Sequence, residues 1–172
     1  MKKKLVVING TMGSGKTEIS KVLFTSLNNC AWIDGDWCWN VHPYTEISEE
    51  DKEKFIQNIT NLLNSYLTSE SIEIVIFSWV IPQTEILNTI LEKIFVDYQL
   101  NWVTLLVSKE ELENRIKKRW KYESRDIWEY ERSILYMDKF FKNMNSYKLD
   151  TSGKEIDFLA NHLIDYFKLC EE

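Results

Sequence analysis

A chain of 172 residues has the size of one globular domain, and residues 1–172 read as a single unit. Its 44% hydrophobic and 28% charged residues supply a core, while five glycines and two prolines exclude collagen-like, linker-rich and Pro-rich adaptor classes. A formal net charge of -6 has the wrong sign for a broad polynucleotide-binding surface.

The first element follows Met1-Lys2-Lys3-Lys4. Lys4 to Asn9 is a short apolar run, too short for a signal peptide, and it reads as a strand. Gly15 to Asn28 carries Ile19, Val22, Leu23 and Leu27 at helical spacing, and Cys30 to Ile33 is a second strand. Glu46 to Leu67 is a long helix with Phe55, Ile59, Leu62, Leu63 and Tyr66 on one face and Ser48-Glu49-Glu50-Asp51 at its start. Ile72 to Phe77 is a third strand, Gln83 to Tyr98 a helix, and Trp102 to Val107 a fourth strand. Ser108 caps a charged helix to about Arg119, Tyr147 to Leu149 is a short fifth strand, and Glu155 to Leu169 is a last helix.

Strands without polar alternation, separated by helices, imply an α/β fold with a five-stranded parallel sheet buried on both faces. Ligands in such folds bind beyond the carboxyl ends of the strands. All five glycines (Gly10, Gly13, Gly15, Gly35 and Gly153) fall just after apolar runs, on that edge. The run Ile74 to Ile81 is too short to span a bilayer, and three unevenly placed cysteines argue against a disulfide framework. The expected compartment is the cytoplasm, with no membrane partner, and the chain is expected to be a monomer or homodimer.

Gly10-Thr11-Met12-Gly13-Ser14-Gly15-Lys16-Thr17 satisfies the phosphate-loop pattern, with a strand before it and a helix after it. The glycines let successive N–H groups turn inward around phosphate oxygens, and the helix adds its positive N-terminal end. Lys16 is expected to reach the β and γ phosphates of ATP, and the Thr17 hydroxyl to ligate Mg²⁺. Asp34-Gly35-Asp36 closes the second strand. In extended backbone its two carboxylates face the same way, one suited to a metal-bound water and the other to an attacking hydroxyl. A solvated Asp-Gly turn is the plain alternative. Cys30, Cys38 and His42 match no zinc spacing.

With these motifs in place, the sequence resembles the P-loop small-molecule kinases: nucleoside monophosphate, shikimate, gluconate and adenylylsulfate kinases. Asp34-Gly35-Asp36 is similar to the Asp-Gly-Asp of adenylylsulfate kinases, and the resemblance implies that Asp36 binds or activates the acceptor. The residues that continue that family's motif are replaced by Trp37 to Asn40, and Phe77-Ser78-Trp79 lacks the Walker B acid, leaving Mg²⁺ to Thr17 and, through water, Asp34. The resemblance also implies a helical lid over about 115–130, with Arg119 and Arg125 on the transferring phosphoryl group and Arg115 near the nucleotide. Arg115 and Arg119 share a helix face, and the alternative for all three arginines is a solvated basic helix. Asp150-Thr151-Ser152-Gly153 follows the last strand; the resemblance puts Thr151, Ser152 and Gly153 beside the adenine, and an ordinary turn is compatible with the same residues.

Aromatic residues cluster at Trp32, Trp37, Trp39 and Tyr44 and again at Trp120, Tyr122, Trp128 and Tyr130. Core packing and stacking on a planar acceptor both suit such residues. The reaction expected is transfer of the γ-phosphoryl of a nucleoside triphosphate to a small metabolite or nucleotide. An antibiotic-modifying phosphotransferase of the chloramphenicol type and a nucleotide-binding switch or partner module without an acceptor remain open beside it.

Overall fold

The central strand explains the rest of the architecture. β1 (Lys3–Gly10) is buried over its last six residues, because both of its faces are covered and both of its edges are paired. The computed structural model describes residues 2–42, 48–120, 128–139, 141 and 144–170, with the backbone alone at 119, 120, 128, 129 and 139. The remaining strands are β2 (Cys30–Asp34), β3 (Ile74–Trp79), β4 (Tyr98–Leu106) and β5 (Tyr147–Asp150). They form one parallel sheet in the order β2-β3-β1-β4-β5.

One layer of helices comprises α1 (Lys16–Ser26) and α6 (Ile156–Tyr166), whose Ile19, Leu23, Leu159 and Leu163 pack with Val6, Ile8 and Ile76. The opposite layer is α2 (Glu49–Thr68) and α3 (Thr84–Leu91), where Ile59, Leu63, Leu67, Leu87 and Ile90 meet Leu5, Val7 and Phe77. Alternate residues of β1 therefore feed opposite cores, which is why its sequence shows no polar alternation. A third cluster joins α4 (Lys109–Trp120) to α5 (Trp128–Lys139) through Leu112, Ile116, Met137 and Phe141. No helix among the described residues is long and apolar enough to cross a membrane.

Local chemistry sets the helix starts. The Ser48 hydroxyl accepts a hydrogen bond from Asp51 N–H at 3.1 Å and caps α2, with Glu49, Glu50 and Asp51 in the first turn. Ser108 does the same for α4 by accepting from Glu111 N–H at 3.2 Å.

Two helices depart from the sequence reading. The helix expected over Gln83 to Tyr98 stops at Leu91, and Tyr98 to Asn101 belong to β4. Two interactions override helical continuation. The buried Asn64 amide donates to Lys93 O at 3.0 Å and accepts from Phe95 N–H at 3.3 Å, capturing the chain as it leaves the helix. The full length of β1 then draws a full-length partner, with Lys3 opposite Tyr98 and Gly10 opposite Leu105. The second departure is α5, which the sequence reading left unassigned although Tyr130, Ile134 and Met137 lie at helical spacing.

Candidate active site

The chain leaves β1 through Asn9, which is fully buried. Its carboxamide oxygen accepts from Gly10 N–H and Ile81 N–H, both at 2.8 Å, and its nitrogen donates to Ile81 O at 3.0 Å. Asn9 thus pins the start of the glycine loop to the exit of β3. The loop bends through Gly13 (φ 80°) and Gly15 (φ 99°), left-handed conformations that a side chain would strain, and Gly15 starts α1. A Cβ on Gly13 would also lie 2.8 Å from Leu112 Cδ1, so α4 seats directly against the loop.

In front of the loop is a cleft of about 250 Å³. Met12, Gly13, Gly15, Lys16 and Thr17 line one side, Asp34 and Asp36 the other, with Glu18, Trp79 and Val80 completing the wall. The Lys16 ammonium donates to Gly10 O and Thr11 O, both at 2.9 Å, and so curls over the loop mouth. The structure brings Lys16, Thr17, Asp34 and Asp36 to one place.

The two carboxylates arrive differently from the sequence expectation. Asp34 Oδ1 accepts Asp36 N–H at 3.1 Å, which turns Gly35–Cys38 into a 3-10 turn instead of continuing extended. Asp34 Oδ2 accepts from the Ser78 hydroxyl at 3.5 Å, and Ser78 Oγ in turn accepts from Trp32 Nε1 at 3.0 Å. Burial raises the Asp34 carboxyl above its ordinary range, partly offset by the Asp36 N–H; the neighbouring Asp36 carboxylate pushes the same way as burial, and Lys16 opposes it. Asp36 Oδ1 accepts from Trp79 Nε1 at 3.2 Å.

Gly35 is a packing residue. Its φ is ordinary, yet a Cβ there would stand 2.4 Å from Trp79 Cγ, so the glycine is what lets the Trp79 ring lie against the turn. Gly10, Thr11 and Ser14 form the back of the loop. Thr11 Oγ1 donates to Ser133 O at 3.2 Å, and Ser14 O accepts from the buried Thr151 hydroxyl at 3.1 Å.

Arg115 reinforces that back wall. Its guanidinium donates to Thr151 O at 2.8 Å, Thr151 Oγ1 at 3.2 Å, and Gly13 O and Ser14 O, each at 3.4 Å, while Glu111 holds Nε at 2.8 Å. It clamps the loop to the segment after β5. Ser152 accepts Ser108 N–H at 2.8 Å and donates to Asp150 at 2.7 Å, and Gly153 (φ 62°) is exposed with open space around it. The Arg119 side chain and the whole of Arg125 lie outside the described residues, as do Tyr44, Tyr122 and the side chains of Trp120 and Trp128.

Trp79, Val80, Glu18 and Asn9 were missed as site residues. Trp79 and Val80 directly follow Ser78 at the end of β3, on the ligand-binding edge, and Asn9 is a polar residue ending an apolar strand; those positions were the available signal.

The sheet order, with a glycine loop at the end of its central strand, is that of the nucleotide-binding P-loop small-molecule kinases. Residues 6–138 match the family described as AAA domain, and the chain belongs to that family. No curated protein matches it in sequence. Among solved structures, a sugar kinase from Janibacter sp. is 12% identical with a TM-score of 0.71, over 97% of this chain and 95% of that one. The APS kinase of Mycobacterium tuberculosis, solved with AMPPNP and APS, is 16% identical with a TM-score of 0.66, over 97% and 98%. The tunicamycin resistance protein of Deinococcus radiodurans is 14% identical with a TM-score of 0.67, over 96% of both chains. These likenesses establish the fold.

Proposed function

We propose that the protein is an ATP- and Mg²⁺-dependent phosphotransferase that moves the γ-phosphoryl group to a hydroxyl of a small acceptor. The observation that carries this reading is the single cleft in which Lys16 and Thr17 of the glycine loop face Asp34 and Asp36. Loop N–H groups and Lys16 hold the nucleotide phosphates, and glycines at positive φ keep the backbone open to them. Among the described residues no group of three or more His, Cys, Asp or Glu gathers as a metal cage. The donors present, a hydroxyl and a carboxylate, suit Mg²⁺, which keeps most of its waters and phosphate oxygens and takes few protein ligands. Thr17 would hold the ion directly and Asp34 through water; the ion supplies charge neutralisation on the phosphates.

Asp36 is the acceptor-side base. With Oδ1 taken by Trp79, Oδ2 is the oxygen that receives the hydroxyl proton. Arg115 acts from behind, keeping the loop in its phosphate-ready shape, and Thr151, Ser152 and Gly153 border the nucleotide. Residues 1–172 form one kinase unit with a lid at about 115–130, from which Arg119 and Arg125 meet the charge of the transferring group. The neighbours known as kinases, one of them solved with AMPPNP, support the reading at the level of fold.

The test is acceptor-dependent ADP release from Mg-ATP. Lys16→Ala is expected to lose ATP binding and turnover together, and Asp36→Asn to keep ATP binding and lose transfer by about a hundredfold or more. Unchanged ATP affinity in Lys16→Ala overturns the proposal. Lys16-dependent hydrolysis that ignores every acceptor and survives Asp36→Asn favours a nucleotide switch instead.

A further inference from the structure

Trp79, which lines the cleft with Asp36, begins a chain of aromatic rings. Trp79 meets Phe55 of α2 edge-on, with ring centroids 5.0 Å apart at 83°, and Phe55 continues to Trp39 at 6.3 Å. Val80 adds an apolar side chain to the cleft lining next to Trp79 in sequence. Trp79, Phe55, Trp39 and Val80 are all half-buried, so each keeps accessible surface.

The charge on the same side is negative. Glu18, Asp34 and Asp36 line the cleft, and the ammonium among its lining residues is that of Lys16, which the phosphate loop employs. From Val22 to Glu92, a stretch that contains the whole aromatic bank, the cationic residues are Lys52 and Lys54. Both sit in the exposed first turns of α2, paired with Glu49, Glu50 and Asp51. All four arginines fall between 115 and 132. An acceptor bearing a carboxylate or phosphate needs a cation, best a bidentate arginine, to offset its desolvation and its repulsion from fixed carboxylates. Among the described residues the bank offers it none. What the bank does offer is ring surface for stacking, and carboxylates and indole faces that tolerate an ammonium.

We propose that the phosphoryl acceptor is a non-anionic alcohol with a flat apolar body, seated against Trp79 and Phe55 with its hydroxyl at Asp36. This inference rests on the phosphotransferase reading and narrows its substrate class. In the transfer, a lone pair of the hydroxyl oxygen forms the new O–P bond to the γ-phosphorus of ATP. The bond between that phosphorus and the β–γ bridging oxygen breaks, its electron pair leaving on ADP, and the hydroxyl proton passes to Asp36. Trp79 is a positioning residue in this step. Its indole N–H holds Asp36 Oδ1, and its ring forms the floor for the acceptor.

Matched probes differing in charge test the class on the full chain. Phenylethanediol is neutral, phenylglycinol is a cationic amino alcohol, and mandelate carries a carboxylate on the same phenyl alcohol; gluconate supplies an anionic sugar acid. ADP release with Mg-ATP is measured for each, and quenching of tryptophan fluorescence is titrated in parallel with a non-hydrolysable ATP analogue. The first two probes are expected to exceed mandelate and gluconate by about tenfold or more in both kcat/KM and affinity. Trp79→Phe, which keeps a ring, is expected to lower kcat about tenfold with KM held, whereas Trp79→Leu raises KM as well. Mandelate or gluconate matching the neutral probes overturns the acceptor class and leaves the phosphotransferase reading intact, since it would place the counter-charge on the arginine lid. Absence of both turnover and quenching with the phenyl alcohols also overturns it, as do Trp79 variants with unaltered kcat and KM. ATP binding that ignores Lys16→Ala removes the underlying reading, and the acceptor class falls with it.

Discussion

Gly35→Ala separates packing from backbone strain at the centre of the site. The new methyl group would lie 2.4 Å from Trp79 Cγ, 2.5 Å from Cδ1 and 2.9 Å from Cβ, contacts that real structures do not hold. The indole has little room to yield, because Phe55 packs edge-on at 5.0 Å and Phe77 stands at 6.3 Å. Overpacking of this kind costs about 1–3 kcal/mol. Moving the ring also loosens the Trp79–Asp36 hydrogen bond, an exposed one that adds less than about 1 kcal/mol. A total near 2–3 kcal/mol lowers Tm by roughly 5–10 °C for a domain of this size. Gly153→Ala is the control: φ is 62° and nothing lies within 4 Å of the new Cβ, so strain of about 1 kcal/mol acts alone. Thermal melts followed by far-UV circular dichroism measure both, and near-UV spectra are expected to change for Gly35→Ala only. In a Trp79→Ala background, which removes the Cγ and Cδ1 contacts and leaves the one to Cβ at 2.9 Å, the Gly35→Ala penalty should fall by more than half, as coupled neighbours are non-additive. A Gly35→Ala protein with wild-type Tm and tryptophan spectrum, or a penalty undiminished without the indole, refutes the packing argument.

Arg115→Met removes a guanidinium that serves four acceptors and Glu111, and is expected to cost about 2–3 kcal/mol in urea unfolding, with Glu111→Gln costing less. Equal stability of Arg115→Met and wild type would show that the loop holds its shape unaided. Asp34 and Asp150 should show opposite pH signatures. Burial raises Asp34 in the folded state, so its contribution to stability falls as pH rises past the ordinary value of 3.8; Asp34→Asn is expected to be more stable than wild type at pH 7, with the gap closing below pH 3.8. The Ser152 N–H and hydroxyl lower Asp150, whose contribution is present above 3.8 and lost as pH falls through the depressed folded value; Asp150→Asn is expected to be less stable at pH 7 and to converge with wild type in acid. Melting curves across pH that shift both variants in the same direction contradict these environments. Cys30, pushed up to about 12 by burial, stays a thiol at pH 8, so maleimide should label exposed Cys170 first and Cys30 last.

The loop and the order of elements were legible because each rests on local chemistry. Three glycines and a lysine at fixed spacing need only a strand before them and a helix after them, and the apolar runs of an interior parallel strand carry no competing pattern. The end of α3 was illegible because it depends on Asn64, nearly thirty residues earlier in sequence, whose carboxamide intercepts Lys93 and Phe95. The carboxylates of Asp34 and Asp36 reach one cleft as expected, but by a capped 3-10 turn, since a side chain competing for the Asp36 N–H defeats the extended register. Gly35 reads in sequence like a turn glycine, and its steric purpose becomes visible only once Trp79 is placed from a different strand. Arg115 drew attention through helical spacing with Arg119, yet apart from Glu111 it serves Thr151, 36 residues later, and the carbonyls of Gly13 and Ser14, about a hundred residues earlier, which no local pattern encodes.

The position of β1 also governs how the molecule is assembled in time. Of the five strands synthesis delivers β1 first, but Lys4 pairs with Ile74 and Lys3 with Tyr98, so the strand waits about 70 residues for one neighbour and about 95 for the other. Pairings this distant make for slow closure and leave an apolar strand waiting with both edges bare. A nascent chain stopped before Ile74 holds a complete phosphate-loop motif without either strand that flanks β1, so the loop is mounted only by strands made later.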